Sequence, residues 1–188
     1  MKPLAALALA ALVMPGTPAV AQTLVPEGSE IRFVSRQMGV PVEGRFTRFA
    51  AQLKLDPKQP AASTVLLTID TRSIAFGAPD TEAEAAKPAW FASAQFPQAQ
   101  FRSTAVKAAG AGRFDVNGTL AIKGITREVP VPVTLAYGPA TGQGVASGSF
   151  TIRRMDFKLG EGEWADTSML ANDVQVRFKL VLTGLGPL

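Results

Sequence analysis

Strict alternation of apolar and polar residues, sustained over most of the chain, limits this sequence to a fold built from half-buried strands. Ile31, Phe33 and Ser35 share one face, and Val65, Leu67 and Ile69 another, bounded by Thr68 and Asp70. Phe114, Val116, Gly118, Leu120 and Ile122 alternate with Asp115, Asn117, Thr119 and Lys123. Ile125, Val129, Val131, Val133, Leu135 and Tyr137 form a further row, and Val174, Val176, Phe178, Leu180 and Leu182 a last one. Successive side chains of a strand point to opposite faces, so each run sets one face in an apolar interior and one in water.

Turn residues separate the runs: Asp56-Pro57, Gly110-Ala111-Gly112, Lys123-Gly124, Gly138-Pro139 and Gly142-Gln143-Gly144. Between Val42 and Leu55 the parity changes. Val42, Gly44 and Phe46 sit on even positions, whereas Phe49, Ala51, Leu53 and Leu55 sit on odd ones. A bulge or sharp coil near Thr47-Arg48 would put both sets on one face. Pro130 and Pro132 both lack an N–H on the same lateral side of their strand, so that edge is expected to be unpaired there. Only Asp80 to Lys87 reads as a helix, with Thr81 and Glu84 as a capping box and Pro88 as the stop. It lies in a long connection, Arg72 to Pro97, and Met155 to Asp173 forms a second irregular stretch. About eight strands, one short helix and no strand–helix–strand rhythm indicate an antiparallel barrel or sandwich.

Composition removes most catalytic chemistry. The chain has no Cys and no His, which excludes disulfides, thiol nucleophiles, thiolate or imidazole metal sites and His-based triads. The net charge is only +4, and Lys and Arg are scattered rather than clustered, so no nucleic-acid footprint is present. At the N-terminus, Lys2 precedes an apolar stretch from Leu4 to Met14, too short for the ~20 residues of a membrane helix. Pro15-Gly16 and the small-x-small pattern Ala19-Val20-Ala21 follow. Residues 1–21 are therefore expected to be a signal peptide cleaved after Ala21, and residues 22–188 the exported domain, periplasmic in a bacterium. No later stretch is long and apolar enough to be a transmembrane helix.

Five pieces in order carry a family likeness. They are Ser29-Glu30-Ile31-Arg32-Phe33 leading to Gly39 and Val42-Glu43-Gly44-Arg45-Phe46; Ile69-Asp70-Thr71-Arg72-Ser73-Ile74; Trp90-Phe91; Phe96 through Thr104; and Val116 through Arg127. Together they resemble the YceI-like polyisoprenoid-binding family of periplasmic lipid carriers. That family commonly has a His shortly before the Gly of the first hairpin, where this chain has Gln37. The resemblance implies an eight-stranded antiparallel, lipocalin-like barrel with one short helix in a long loop. It also implies an apolar channel for an isoprenoid or fatty amphiphile, no cofactor, and a homodimer as one possible assembly.

On this reading the candidate cavity and mouth residues are Phe33, Phe46, Phe49, Ile69, Trp90, Phe91, Phe96, Phe101, Leu120 and Phe178. Arg36, Arg45 and Arg102 are head-group candidates, because guanidinium suits phosphate or carboxylate; the plain alternative is solvated outer-face charge. Arg153-Arg154 reads the same way, and the acidic stretch Glu161 to Asp166 reads as a solvated loop with Trp164 packed on the barrel. No catalytic or metal residue is assigned. Each buried methylene contributes roughly 0.8 kcal/mol. Micromolar binding needs about 8 kcal/mol after ordering costs, so such walls suit a long chain. Two other functions remain open at this point: an enzyme acting on a lipid or isoprenoid quinone through carboxylates such as Asp70 or Asp80, and a structural barrel packed solid.

Overall fold

Residues 22–185 are described by the computed structural model, and the expected signal peptide, residues 1–21, lies outside them. Their alternating runs become ten strands: β1 (Thr23–Gln37), β2 (Val40–Phe46), β3 (Phe49–Lys54), β4 (Thr64–Asp70), β5 (Ile74–Ala75), β6 (Gln98–Gly110), β7 (Arg113–Ile122), β8 (Ile125–Gly138), β9 (Gln143–Arg153) and β10 (Asp173–Thr183). Every paired neighbour is antiparallel, in the order β3-β4-β6-β7-β8-β9-β10-β1-β2-β5, and the sheet curls into a half-barrel. Gln22, just ahead of β1, ties that strand to the β3 end of the order. It bridges Leu53, and its amide both donates to the carbonyl of Leu55 and accepts from its N–H.

Two features raise the expected eight strands to ten. The parity change at Thr47-Arg48 is a full break, so one bent strand becomes β2 and β3, with inward rows on even and odd numbers respectively. Ser73 holds the break: its carbonyl accepts from Thr47 N–H at 3.0 Å and its hydroxyl from Arg48 N–H at 3.0 Å. The long connection then adds the two-residue β5 against Arg45 and Phe46. Where β1 bulges between Val25 and Glu30, the Ser29 hydroxyl stands in for a ladder acceptor and takes Val181 N–H at 2.8 Å.

The proline pair marks a seam. Leu135 N–H donates to the Gly112 carbonyl on the β7 side, so odd-numbered groups of β8 face β7 and the even-numbered prolines face away. On that side β9 pairs with β8 only from Val133 onward. The side opened by the prolines is occupied by the chain after β9, whose Phe157 and Leu159 are buried in one core cluster with Val129 and Val131.

The helix α1 (Pro79–Ala85) differs from expectation at its start. Pro79 occupies its first turn and Thr81 makes no cap. Glu82 instead reaches back to the chain ahead of the helix, its carboxylate accepting the N–H groups of Phe76 and Gly77 at 3.0 and 3.1 Å. Antiparallel order puts the α1 connection, the β1–β2 and β7–β8 turns and the 154–172 segment at one end of the barrel. Backbone hydrogen bonds knit them: Gly160 N–H to Ala89 O at 2.8 Å, Met38 N–H to Met169 O at 2.8 Å and Ala171 N–H to Arg36 O at 2.8 Å.

Candidate functional site: an apolar cavity

The buried residues fall into two clusters, one around Phe101, Val116, Leu120 and Val131, the other around Ile31, Leu135, Leu180 and Leu182. Leu67, Ile69, Phe114, Val133, Val176 and Phe178 pack against both, yet each is only partly buried. All six face a cavity of about 340 Å³ inside the barrel. That volume lies in the range of ordinary ligand pockets. Val174 and Leu182 both border it, eight residues apart on β10. At ~3.3 Å per residue and a strand tilt of 35–45°, the cavity runs roughly 20 Å along the barrel.

Glycine placement explains why the interior is hollow. A methyl group on Gly44 would lie 2.2 Å from the Phe33 ring, on Gly118 2.5 Å from the Phe101 ring, and on Gly148 2.7 Å from the Phe178 ring. Each ring therefore lies down on the bare backbone of the neighbouring strand rather than projecting into the lumen. Phe33 and Phe46 meet at 5.6 Å, Phe33 and Phe76 edge-on at 5.5 Å, and Phe46 and Phe91 edge-on at 5.9 Å, forming an aromatic wall near α1.

Of the residues singled out from the sequence, Phe33, Phe46, Ile69, Trp90, Phe91, Phe101, Leu120 and Phe178 border the cavity. Phe49 faces inward on β3 but packs in the second cluster, clear of the lumen. Phe96 sits under the β7–β8 turn, its ring 2.8 Å from where Gly124 would carry a Cβ, and does not reach the cavity. Arg36, Arg45 and Arg102 are exposed and outside it. They follow inward residues by one position or precede them by one, and the period of two turns them outward. The carboxylates considered for catalysis are also outside. Both oxygens of Asp70 are used, one by the Arg48 guanidinium at 2.9 and 3.0 Å and one by Arg72 N–H at 2.9 Å. Burial pushes the Asp70 carboxyl up, but those bonds outweigh it and leave the group below its ordinary range. Asp80 is exposed on α1.

Arg154 corrects the sequence reading. It is 2% exposed and borders the cavity, whereas its neighbour Arg153 is exposed and pairs with Asp156. Among the described residues no carboxylate meets it. Its Nε donates to Ala171 O (3.1 Å), one terminal nitrogen to Leu159 O (2.8 Å) and Gly160 O (3.1 Å), and the other to Trp164 O (2.7 Å) and Leu170 O (2.8 Å). Burial lowers its pKa from the usual guanidinium value. The fork reaches five backbone carbonyls of the 154–172 segment, with the Met155 sulfur also 3.1 Å from one terminal nitrogen, and Arg154 thereby folds that segment into a cap. Nothing in the alternation marks this residue, because it stands where the strand pattern ends. Trp164 packs against Trp90 at 5.7 Å, and both border the cavity.

Among the described residues no group of His, Cys, Asp or Glu is arranged to hold a metal ion, and no helix is long and apolar enough to cross a membrane. Glu161 is engaged by Lys123 at 2.7 Å and Asp166 by Ser168 at 2.7 Å.

Comparison with known proteins agrees with this architecture. A UPF0312 protein of Yersinia pestis is 34% identical over 148 residues, covering 76% of this chain and 74% of its own. A UPF0312 protein of Vibrio cholerae is 26% identical over 155 residues, covering 78% and 82%. The crystal structure of Burkholderia cenocepacia BcnA superposes with a TM-score of 0.81 at 39% identity, covering 84% of this chain and 98% of that one. A polyisoprenoid-binding domain from Saccharophagus degradans shares the fold, with a TM-score of 0.71 at 20% identity over 87% of this chain and 98% of its own. The family model of the YceI-like domain matches residues 22–182, and the chain belongs to that family.

Proposed function

We propose that this protein binds a polyisoprenoid or other long-chain amphiphile, tail inside the barrel, and carries it in the periplasm without altering it. The observation that carries this reading is the long apolar cavity, bordered along its length by aliphatic and aromatic side chains. Burial of ten or more carbons there offers about 8 kcal/mol at ~0.8 kcal/mol each, the scale that useful affinity requires. The polyisoprenoid-binding domain from Saccharophagus degradans supports the ligand class by its shared fold. An enzymatic reading needs facing acid and base groups within the lumen. Among the described residues, Glu84 is the single carboxylate on its border, and it is paired with Lys87.

Solvent extraction and mass spectrometry of protein purified from its own host tests the reading. A long-chain isoprenoid or fatty amphiphile near one per protein is the expected result. Repeatedly empty preparations that also fail to take up labelled isoprenoids would overturn it. N-terminal sequencing of the exported protein is expected to begin at Gln22; retention of residues 1–21 would remove the periplasmic part.

A further inference from the structure

Apart from Ser63, just before β4 at the opposite end, and Arg32 midway along β1, the polar residues on the border of the cavity gather at the capped end. Trp90 and Trp164 stand against each other there, converging with Arg154 on Gly160: a Cβ on that glycine would fall 3.0 Å from the Trp90 ring, 3.2 Å from the Trp164 Cβ and 2.6 Å from the Arg154 guanidinium. Ser35 borders the cavity from β1, whose next residue, Arg36, is hydrogen-bonded to the same cap through Ala171. The indole nitrogens of both tryptophans and the hydroxyl of Ser35 are buried and have no hydrogen-bond partner among the described residues. Buried donors are almost always satisfied, so orphaned ones at the end of a ligand cavity mark where a ligand's acceptor belongs.

Charge at the same border argues for what kind of acceptor. Arg32, Glu84 and Arg154 are the charged residues there. Arg154 is engaged by five backbone carbonyls and the Met155 sulfur, Arg32 is paired with Glu30 at 2.8 Å, and Glu84 is negative. An anionic head would enter this end with no spare cation to meet it and a carboxylate nearby, and a buried charge without a partner is strongly disfavoured.

Resting on the carrier reading above, we infer that the Trp90–Trp164–Ser35 end receives an uncharged, oxygen-bearing head group, a hydroxyl or carbonyl, and that the protein selects neutral isoprenoid amphiphiles over their diphosphates. Arg154 holds the cap that presents the donors and does not bind the head itself.

The test uses delipidated protein and three labelled probes with one tail length: geranylgeraniol, geranylgeranyl diphosphate and the corresponding hydrocarbon without oxygen. Equilibrium binding is expected to rank the alcohol at least about tenfold tighter than the diphosphate, with the hydrocarbon weaker than the alcohol. Trp90→Phe and Trp164→Phe keep an aromatic ring, smaller than the indole, and remove the N–H. Each is expected to weaken the alcohol several-fold more than the hydrocarbon. A diphosphate that binds as tightly as the alcohol overturns the inference while leaving the carrier reading intact, and this comparison needs no variant. A hydrocarbon equal to the alcohol overturns it too, as do tryptophan variants that weaken both probes alike. Failure of all three probes to bind removes the carrier reading and the head-group inference with it.

Discussion

At the residue scale, two kinds of position set the cavity's existence and its closure. Gly44 leaves room for the Phe33 ring to lie on the sheet, and a side chain there meets that ring at 2.2 Å. Gly44→Val is therefore expected to lift the ring into the lumen, costing about 1–3 kcal/mol as an overpacking change. The same change is expected to reduce co-purified lipid by more than half, measured by extraction against wild type. An unchanged lipid content would show that the ring does not govern the space. Arg154 acts on closure. Arg154→Met leaves buried carbonyls unpaired, at about 1–3 kcal/mol for each acceptor that finds no water. A loss of at least ~3 kcal/mol in urea unfolding is expected, with Arg154→Lys intermediate because an ammonium has three donors rather than a planar fork of five. A near-neutral Arg154→Met would mean that solvent already serves those carbonyls. These two positions also show how legibility divides. Inward rows can be read residue by residue, since alternation is local. The apposition of Phe33 with Gly44, or of Phe178 with Gly148, depends on cross-strand register, and Arg154 lies just past the last alternating residue.

At the element scale, the capped end is held by few and separate ties. Lys123, in the β7–β8 turn, is nearly buried and donates both to Glu161 at 2.7 Å and to the carbonyl of Lys158 at 2.9 Å, joining that turn to the cap. The hydrogen bond from Lys123 holds the Glu161 carboxyl below its ordinary 4.5, against a smaller upward push from burial. A carboxyl lowered in the folded state stabilises folding above its unfolded value, and that contribution is lost as pH falls through the folded one. The stability difference between wild type and Glu161→Gln is thus expected to be full at pH 6 and to shrink as pH falls below 4.5. Thermal unfolding across that range checks it, and a difference independent of pH would refute the tie. Other elements show what a single chain can and cannot reveal. The break at Thr47-Arg48 and the half-open edge at Pro130 and Pro132 follow from parity and missing donors, which are properties of the sequence itself. The start of α1 does not, because Glu82 reaches back to Phe76 and Gly77 in place of a Thr81 cap. Both arrangements satisfy backbone N–H groups near the front of the helix, and tertiary context chooses between them.

At the scale of the whole molecule, a hollow barrel is a compromise between packing and capacity. Apolar side chains that face a void forgo dispersion contacts that a filled core would make. Leu67, Val133 and Val176 are in that position, inward-facing and only partly buried. Whether such rows meet across a gap or interdigitate depends on the curvature of the sheet and on which rings find a glycine across the register, and identical alternation serves a filled barrel equally well, so the cavity was legible only through the family resemblance. A ligand that binds the folded state alone restores those contacts and stabilises it by mass action, about 2.7 kcal/mol at a hundredfold excess over Kd. For a domain of this size each kcal/mol shifts Tm by roughly 2–4 °C, so delipidated protein is expected to melt about 5–10 °C below the same protein reloaded with a long isoprenoid. The shift is expected to grow with the logarithm of free ligand and to vanish for short isoprenoids that span too little of the cavity. Scanning calorimetry of the delipidated and reloaded forms decides the matter. Identical melting of the two would mean that the tail gains nothing from the lumen, and that the ring-on-glycine architecture keeps open a space the protein does not use for binding.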